Sequence, residues 1–340
     1  MDFKDYIEKY RNMIYEKICE YVPIGDEPGA SNIMRDYIDR QGSYRRPGLV
    51  MLTGQMFGAS IDRLILPAAA EQLSEDWILL QDDTEDDSEL RRGKPAAQKL
   101  YGWIHAFNAS NIGHIAMWRM LKDYAKLAGL DNGSRMFEKF YDMLLYTVKG
   151  QHIENEFIHY TKNLGKASQE LYMRIVDSKT CYYTVYGPMQ IGAIAAEQPD
   201  RVLSILKEIG TPVGMAFQII DDVLDMTADE KKFGKKRYGD LYEGKVTLIM
   251  LDTYKKATPA EREEIDRIYA KKRAEKSSEE INFLIGLVEK YGSIDYAKHV
   301  AFEYGQKATE ALTKHEKDLP DNEYKHVLLS ALEELYVRDK

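Results

Sequence analysis

The chain has 340 residues, 47 Lys plus Arg against 56 Asp plus Glu, and a formal net charge of −9. That is enough chain for a large hydrophobic core, and an acidic balance without a basic stripe interleaved with aromatics argues against a nucleic-acid partner. Two cysteines, Cys19 and Cys181, supply neither a disulfide framework nor zinc-ligand spacing, and the seven histidines form no HExxH-like pair. The amino terminus is charged from Asp2 onward, unlike a signal peptide. Apolar runs such as Val246–Leu251 are far too short to span a bilayer. The expected protein is therefore soluble and cytoplasmic, with no transmembrane segment.

Apolar residues recur at helical spacing almost everywhere, and strand-like alternation is scarce. Ile7, Tyr10, Ile14 and Ile18 mark a first helix that stops before Pro23, and Gly25–Gly29 reads as a loop. Leu64–Asp86 reads as a long helix, rich in alanine and leucine early and acidic at its end. Trp103–Leu127, Phe137–Phe157, Ser168–Val185 and Pro199–Asp225 read as further helices, punctuated by Gly129, Gly133 and Gly165. Asp229–Gly244, rich in glycine and lysine, reads as a loop. Helices resume over Lys245–Tyr254, Pro259–Glu275, Ser278–Tyr291, Ile294–His315 and Glu323–Tyr336. No Pro/Ser-rich linker and no repeat divides the chain. The predicted fold is all-α, one large single-domain helical bundle covering residues 1–340.

Two acidic clusters carry the chemistry. The first runs DDTEDDSELRRGKP from Asp82 to Pro95, the second FQIIDDVLDMTADEKKFGKK from Phe217 to Lys236. Each has two adjacent aspartates and a third one turn on: Asp82, Asp83 and Asp86; Asp221, Asp222 and Asp225. Each is followed by basic residues: Arg91, Arg92 and Lys94; Lys235, Lys236 and Arg237. Residues four apart share a helix face, so Asp82 and Asp86 can point into one space, as can Asp221 and Asp225. Mg2+ takes one or two protein carboxylates and completes its shell with water and phosphate oxygens. Neighbouring cations bind the same anion, so the pattern describes a site for a metal–diphosphate substrate. A single acidic run is ordinarily a solvated helix face. Two such runs, each with a basic run and glycine behind it, are harder to explain that way, because like charges at this spacing destabilise a helix unless something positive binds them.

The chain resembles the trans-isoprenyl diphosphate synthases, the polyprenyl synthetase family, of the short-chain farnesyl or geranylgeranyl diphosphate synthase type. The resemblance rests on Asp82–Asp86 followed by Arg91-Arg92-Gly93, on Phe217–Asp225 followed by Gly234-Lys235 and Glu243-Gly244-Lys245, on Lys179-Thr180, and on Gly42–Pro47. It implies a helical bundle of the isoprenoid synthase type around a central active-site cavity, usually homodimeric. It implies Mg2+ held by Asp82, Asp86 and Asp221, with Asp225 supporting that face. Arg91, Lys179 and Lys235 would bind the diphosphate of an allylic prenyl diphosphate, helped by Thr180 and Gln218. Lys245 belongs to the same substrate-binding set. Ionisation would give an allylic cation, attacked by the double bond of isopentenyl diphosphate in a water-free apolar cavity, with no nucleophilic side chain required. Residues four, five and eight before the first aspartate, Ile78, Trp77 and Ser74, would set the cavity floor and thus a short product.

The chain also departs from the family pattern. Isopentenyl diphosphate is usually met by a Gly-Lys-x-x-Arg-Pro segment, by a histidine or glutamine seven before the first aspartate, and by the second arginine of RRG. Arg46 and Arg92 are kept. Ser43 stands at the lysine position and Glu75 at the seventh position back. Two readings follow: Arg45 replaces the missing charge while Glu75 turns toward a basic neighbour, or the acceptor is not isopentenyl diphosphate, as in a terpene synthase/cyclase or a transferase to a phosphate-free acceptor. A third reading, a non-catalytic partner subunit, predicts lost aspartates, whereas all six are present.

Overall fold

The computed structural model describes residues 1–25, 29–227 and 237–336. As the periodicity predicts, the described residues are helical almost throughout; their extended structure is a single short hairpin. They fall into two compact units, one from 1–142, 187–206 and 316–331, the other from 143–186, 207–315 and the residues after 331.

In the first unit the helix Ile61–Glu85 is central. It is buried on all sides from Pro67 to Trp77, because it packs against helices Phe3–Tyr21, Arg45–Met56, Trp103–Ala128 and Gly187–Ala195. The Phe3–Tyr21 helix starts at Asp2, whose carboxylate accepts from Asp5 N–H at 2.7 Å, and buries Tyr6, Tyr10, Ile14 and Ile18 on one face. Two helices of this unit, Ala30–Asp39 and Arg45–Met56, cover a stretch whose pattern had singled out only a Gly…Arg-Pro motif. Gly133 does not break a helix. It lies inside Leu130–Glu156, where an added Cβ would stand 2.4 Å from the Ala125 Cβ, so it serves close helix approach across the Gly129 joint.

The second unit is built around Val176, Ile219, Val223, Ile249, Leu284 and Val288. Helices Pro259–Tyr269 and Ser278–Tyr291 begin in capping boxes, Thr258 with Glu261 and Ser277 with Glu280. The expected helix Ser168–Val185 is in fact an α-helix, Gln169–Val176, that widens into a π-helix, Asp177–Tyr186, before Gly187–Ala195 follows. The expected loop Asp229–Gly244 contains, in its described part, the helix Gly239–Glu243. Among the described residues no helix is long and apolar enough to cross a membrane.

Candidate active site

The first aspartate cluster ends the Ile61–Glu85 helix. Asp86 caps it, its N–H donating to the Asp82 carbonyl at 2.9 Å. The adjacent pair splits by environment. Asp83 is fully buried and accepts from Tyr37 Oη at 2.8 Å and from Arg91 Nε and Nη2 at 2.8 and 2.5 Å. A forked guanidinium offsets the cost of burying that carboxylate. Asp82 is half-buried, with Arg91 Nη2 at 3.7 Å. Arg91, expected on the substrate diphosphate, is thus held by Asp83. Nothing in the sequence marked Tyr37 as its second partner.

The RRG motif has a local explanation. Leu90–Arg91 pairs antiparallel with Lys94–Pro95, so Arg92 and Gly93 form the two-residue turn, with φ of +51° and +77°. Such turns need positive φ at both positions, which glycine adopts freely and arginine at a cost. The turn presents Arg92 to the helix: its Nη1 donates to Asp76 Oδ1 at 2.8 Å and to the Tyr37 carbonyl at 3.0 Å. Glu75 does turn toward basic neighbours, and they are the expected substrate arginines: its Oε1 is 3.1 Å from Arg46 Nη1 and 3.7 Å from Arg92 Nη2. Ser43 is exposed in the preceding loop. Two buried acids join this group unannounced. Burial pushes Glu71 up to about 8, and it pushes Asp76 up to about 7 against the pull of Arg92.

The expected floor residues share that helix. Ser74 is buried and its Oγ donates back to the Glu71 carbonyl at 2.7 Å. Ile78 is half-buried. Trp77 is 5% exposed and leads an aromatic series: its ring lies 4.9 Å from His114, His114 is 6.1 Å from Trp118, and Trp118 is 4.8 Å from Phe137.

The second cluster repeats the division within its own unit. Asp222 is buried and accepts from Tyr172 Oη and Gln218 Nε2, both at 2.8 Å; burial pushes it up to about 7 although both hydrogen bonds oppose that. Thr180 Oγ1 donates to Gln218 Oε1 at 2.7 Å, so Thr180, Gln218, Asp222 and Tyr172 form one chain of hydrogen bonds. Asp221 is half-buried. Asp225 accepts from the N–H groups of Gly239 and Asp240, each at 3.2 Å, which ties the helix end to the next described segment. Lys179 is bonded to Glu154, and Lys245 Nζ lies 2.6 Å from Glu243 Oε2. Glu154 and Glu243 are thus internal anions on lysines expected to meet phosphate. Lys235 lies outside the described residues. A surface pocket of about 430 Å³ lined by Ala128, Leu130, Arg135 and Glu197 contains none of the candidate residues.

Among the described residues no three His, Cys, Asp or Glu side chains converge on one point where an ion could sit. Half-buried carboxylates on rigid helix ends nonetheless fit Mg2+, a hard cation that uses one or two carboxylates and relies on water and substrate phosphate for the rest.

A helical fold with two acid-rich helix ends, each beside basic residues, defines a class of enzyme that handles phosphate-bearing substrates. The polyprenyl synthetase family profile matches residues 27–286. The geranylgeranyl diphosphate synthase of Sulfolobus acidocaldarius is 26% identical over 327 residues, 96% of this chain and 96% of its own. The geranylfarnesyl diphosphate synthase of Aeropyrum pernix is 30% identical over 276 residues, 80% of this chain and 83% of its own. The crystal structure of geranylgeranyl pyrophosphate synthetase from Pyrococcus horikoshii aligns with a TM-score of 0.85 at 29% identity, covering 99% of this chain and 98% of that one. The chain belongs to the polyprenyl synthetase family, which makes it an enzyme of prenyl transfer.

Proposed function

We propose that this chain is a Mg2+-dependent short-chain isoprenyl diphosphate synthase, joining an allylic prenyl diphosphate head-to-tail to isopentenyl diphosphate. The observation that carries this is the matched division of the two aspartate pairs: Asp83 and Asp222 are buried and fixed by Tyr37 and Tyr172, while Asp82 and Asp221 stay half-buried beside them. Such fixed neighbours hold the outer carboxylates in place before substrate arrives. Both units would belong to one catalytic domain spanning residues 1–340.

Asp82, Asp86 and Asp221 would hold the metal, with Asp225 supporting them. Bound Mg2+ would supply positive charge on the allylic diphosphate. The protein's own cations, Arg91, Lys179 and Lys235, would receive the departing diphosphate, positioned by Thr180 and Gln218. Lys179 and Lys245 would exchange Glu154 and Glu243 for phosphate oxygens. Charge placed in advance where the leaving group develops is the larger source of rate. Arg46 and Arg92 would orient the acceptor, and the cavity would exclude water from the allylic cation.

Trp77, with Ile78 and Ser74, would close the cavity floor and limit the product to about farnesyl or geranylgeranyl size, a bound argued from one helical turn of depth below Asp82. Exposed apolar residues on the Trp103–Ala128 helix, Ile104, Phe107 and Ile115 among them, support a homodimer. Two free cysteines suit the cytoplasm. The deciding assay supplies the protein and Mg2+ with dimethylallyl, geranyl or farnesyl diphosphate, with and without isopentenyl diphosphate. Elongated diphosphates only in its presence are expected. Hydrocarbon or alcohol formed without it, or no turnover of any allylic substrate, would refute this function.

A further inference from the structure

Arg46 and Arg92 are two cations expected on a second diphosphate in the first unit, and the Glu75 carboxylate meets both. Glu75 is 7% exposed, and its Oε1 makes both contacts. The arrangement is only half complete. Among the described residues Glu75 Oε2 is buried without a hydrogen-bond partner, and so is Arg92 Nη2. Buried atoms of this kind are uncommon in a finished polar network, so the Glu75 contacts are a strained fit to the two arginines rather than a saturated ion pair. The two partners also differ in freedom. Arg92 is fixed by Asp76 and by the Tyr37 carbonyl, and it packs close over Gly42, where an added Cβ would lie 2.5 Å from Nη2. Glu75 has one oxygen engaged and the other without a hydrogen bond.

We propose that Glu75 occupies the acceptor's anion site in the free chain and must release Arg46 and Arg92 before the diphosphate of the acceptor can bind, so that this residue sets acceptor affinity. The inference rests on the synthase function proposed above. A carboxylate at contact distance from both guanidinium groups cancels charge that a diphosphate needs, and it does so through a partly desolvated medium where such contacts weigh most. Glu75 is thus a specificity residue for the second substrate. It has no role in ionising the first.

The test is direct binding. Full-length protein is titrated calorimetrically with isopentenyl diphosphate in EDTA, so that metal-dependent sites stay silent. Glu75→Gln is expected to bind at least about tenfold more tightly than wild type, since one removed charge faces two arginines. The gain should disappear in Glu75→Gln/Arg92→Gln. Equal or weaker binding by a folded Glu75→Gln protein would overturn the proposal and leave a purely structural ion pair. Glu75→Asp guards against misfolding: its shorter reach should give a smaller gain, and unchanged affinity there counts against the proposal as well. Elongation assays on the same proteins separate the two claims. Tighter binding without any elongation sinks the synthase function alone; elongation with unchanged affinity sinks the role of Glu75 alone.

Discussion

Within each adjacent aspartate pair, burial decides what a residue can do. Asp83 holds Arg91 and Tyr37, so Asp83→Asn should destabilise the fold by about 3 kcal/mol, because Arg91 would keep a buried charge without its partner. Asp82→Ala should cost little stability yet lower turnover by about 1000-fold, since it removes a carboxylate for the metal face. Thermal melts and single-turnover rates on the two variants separate these effects; a fully active Asp82→Ala would refute the metal assignment. Acidic Glu71 gives a second residue-level expectation. Its pKa rises from an ordinary 4.5 to about 8 through burial. The folded state therefore keeps a proton that the unfolded chain releases above pH 4.5, and stability that is complete below that pH is lost as pH climbs toward 8. Asp76, raised to about 7, adds to the same slope. Glu71→Gln should flatten the decline of the melting temperature between pH 5 and 8; an unaltered slope would show that Glu71 is charged. Six aspartates were legible from spacing alone. Which member of each pair is buried was not, because the deciding partners, Tyr37 and Tyr172, lie 46 and 50 positions away.

At the level of elements, periodicity exposed the long helices and missed shorter ones such as Arg45–Met56. Arg45–Met56 is buried at nine of its twelve positions, so it has no polar stripe to reveal its period. The π-helix Asp177–Tyr186 was legible only as a helix, because the extra residue in its turns leaves no mark on composition. It carries Lys179 and Thr180. The hairpin of Arg91 to Lys94 makes a sharper case. Gly93 sits at φ +77° with open space around it, so Gly93→Ala should cost about 1 kcal/mol through backbone strain alone. The same change should loosen Arg92 from Asp76 and raise the KM for the acceptor while leaving that for the allylic substrate near wild type. Steady-state kinetics with each substrate varied in turn would show it, and an equal rise in both would place the turn outside the acceptor site.

On the scale of the whole molecule, the family is carried by features from both units, and the first unit adds a row of exposed apolar side chains. Ile104, Phe107 and Ile115 are 62%, 43% and 65% exposed on one helix, spaced so that they share a side, and Phe137 and Tyr141 of the next helix are exposed as well. Scattered apolar residues on a surface need no explanation, but a row of this size beside a second exposed aromatic pair does. The rest of the surface is strongly charged, with a net charge of −9 to keep copies apart elsewhere. A second copy related by a two-fold axis would bury the row against itself, which is the simplest way for one patch to satisfy both partners. Phe107→Asp/Ile115→Asp should then convert a dimer to monomer at micromolar concentration, because two carboxylates per chain would be placed in the centre of the apolar contact. Sedimentation equilibrium checks this, and a wild-type chain already monomeric at about 10 μM, well above the dissociation constant expected of a stable interface, would eliminate the dimer.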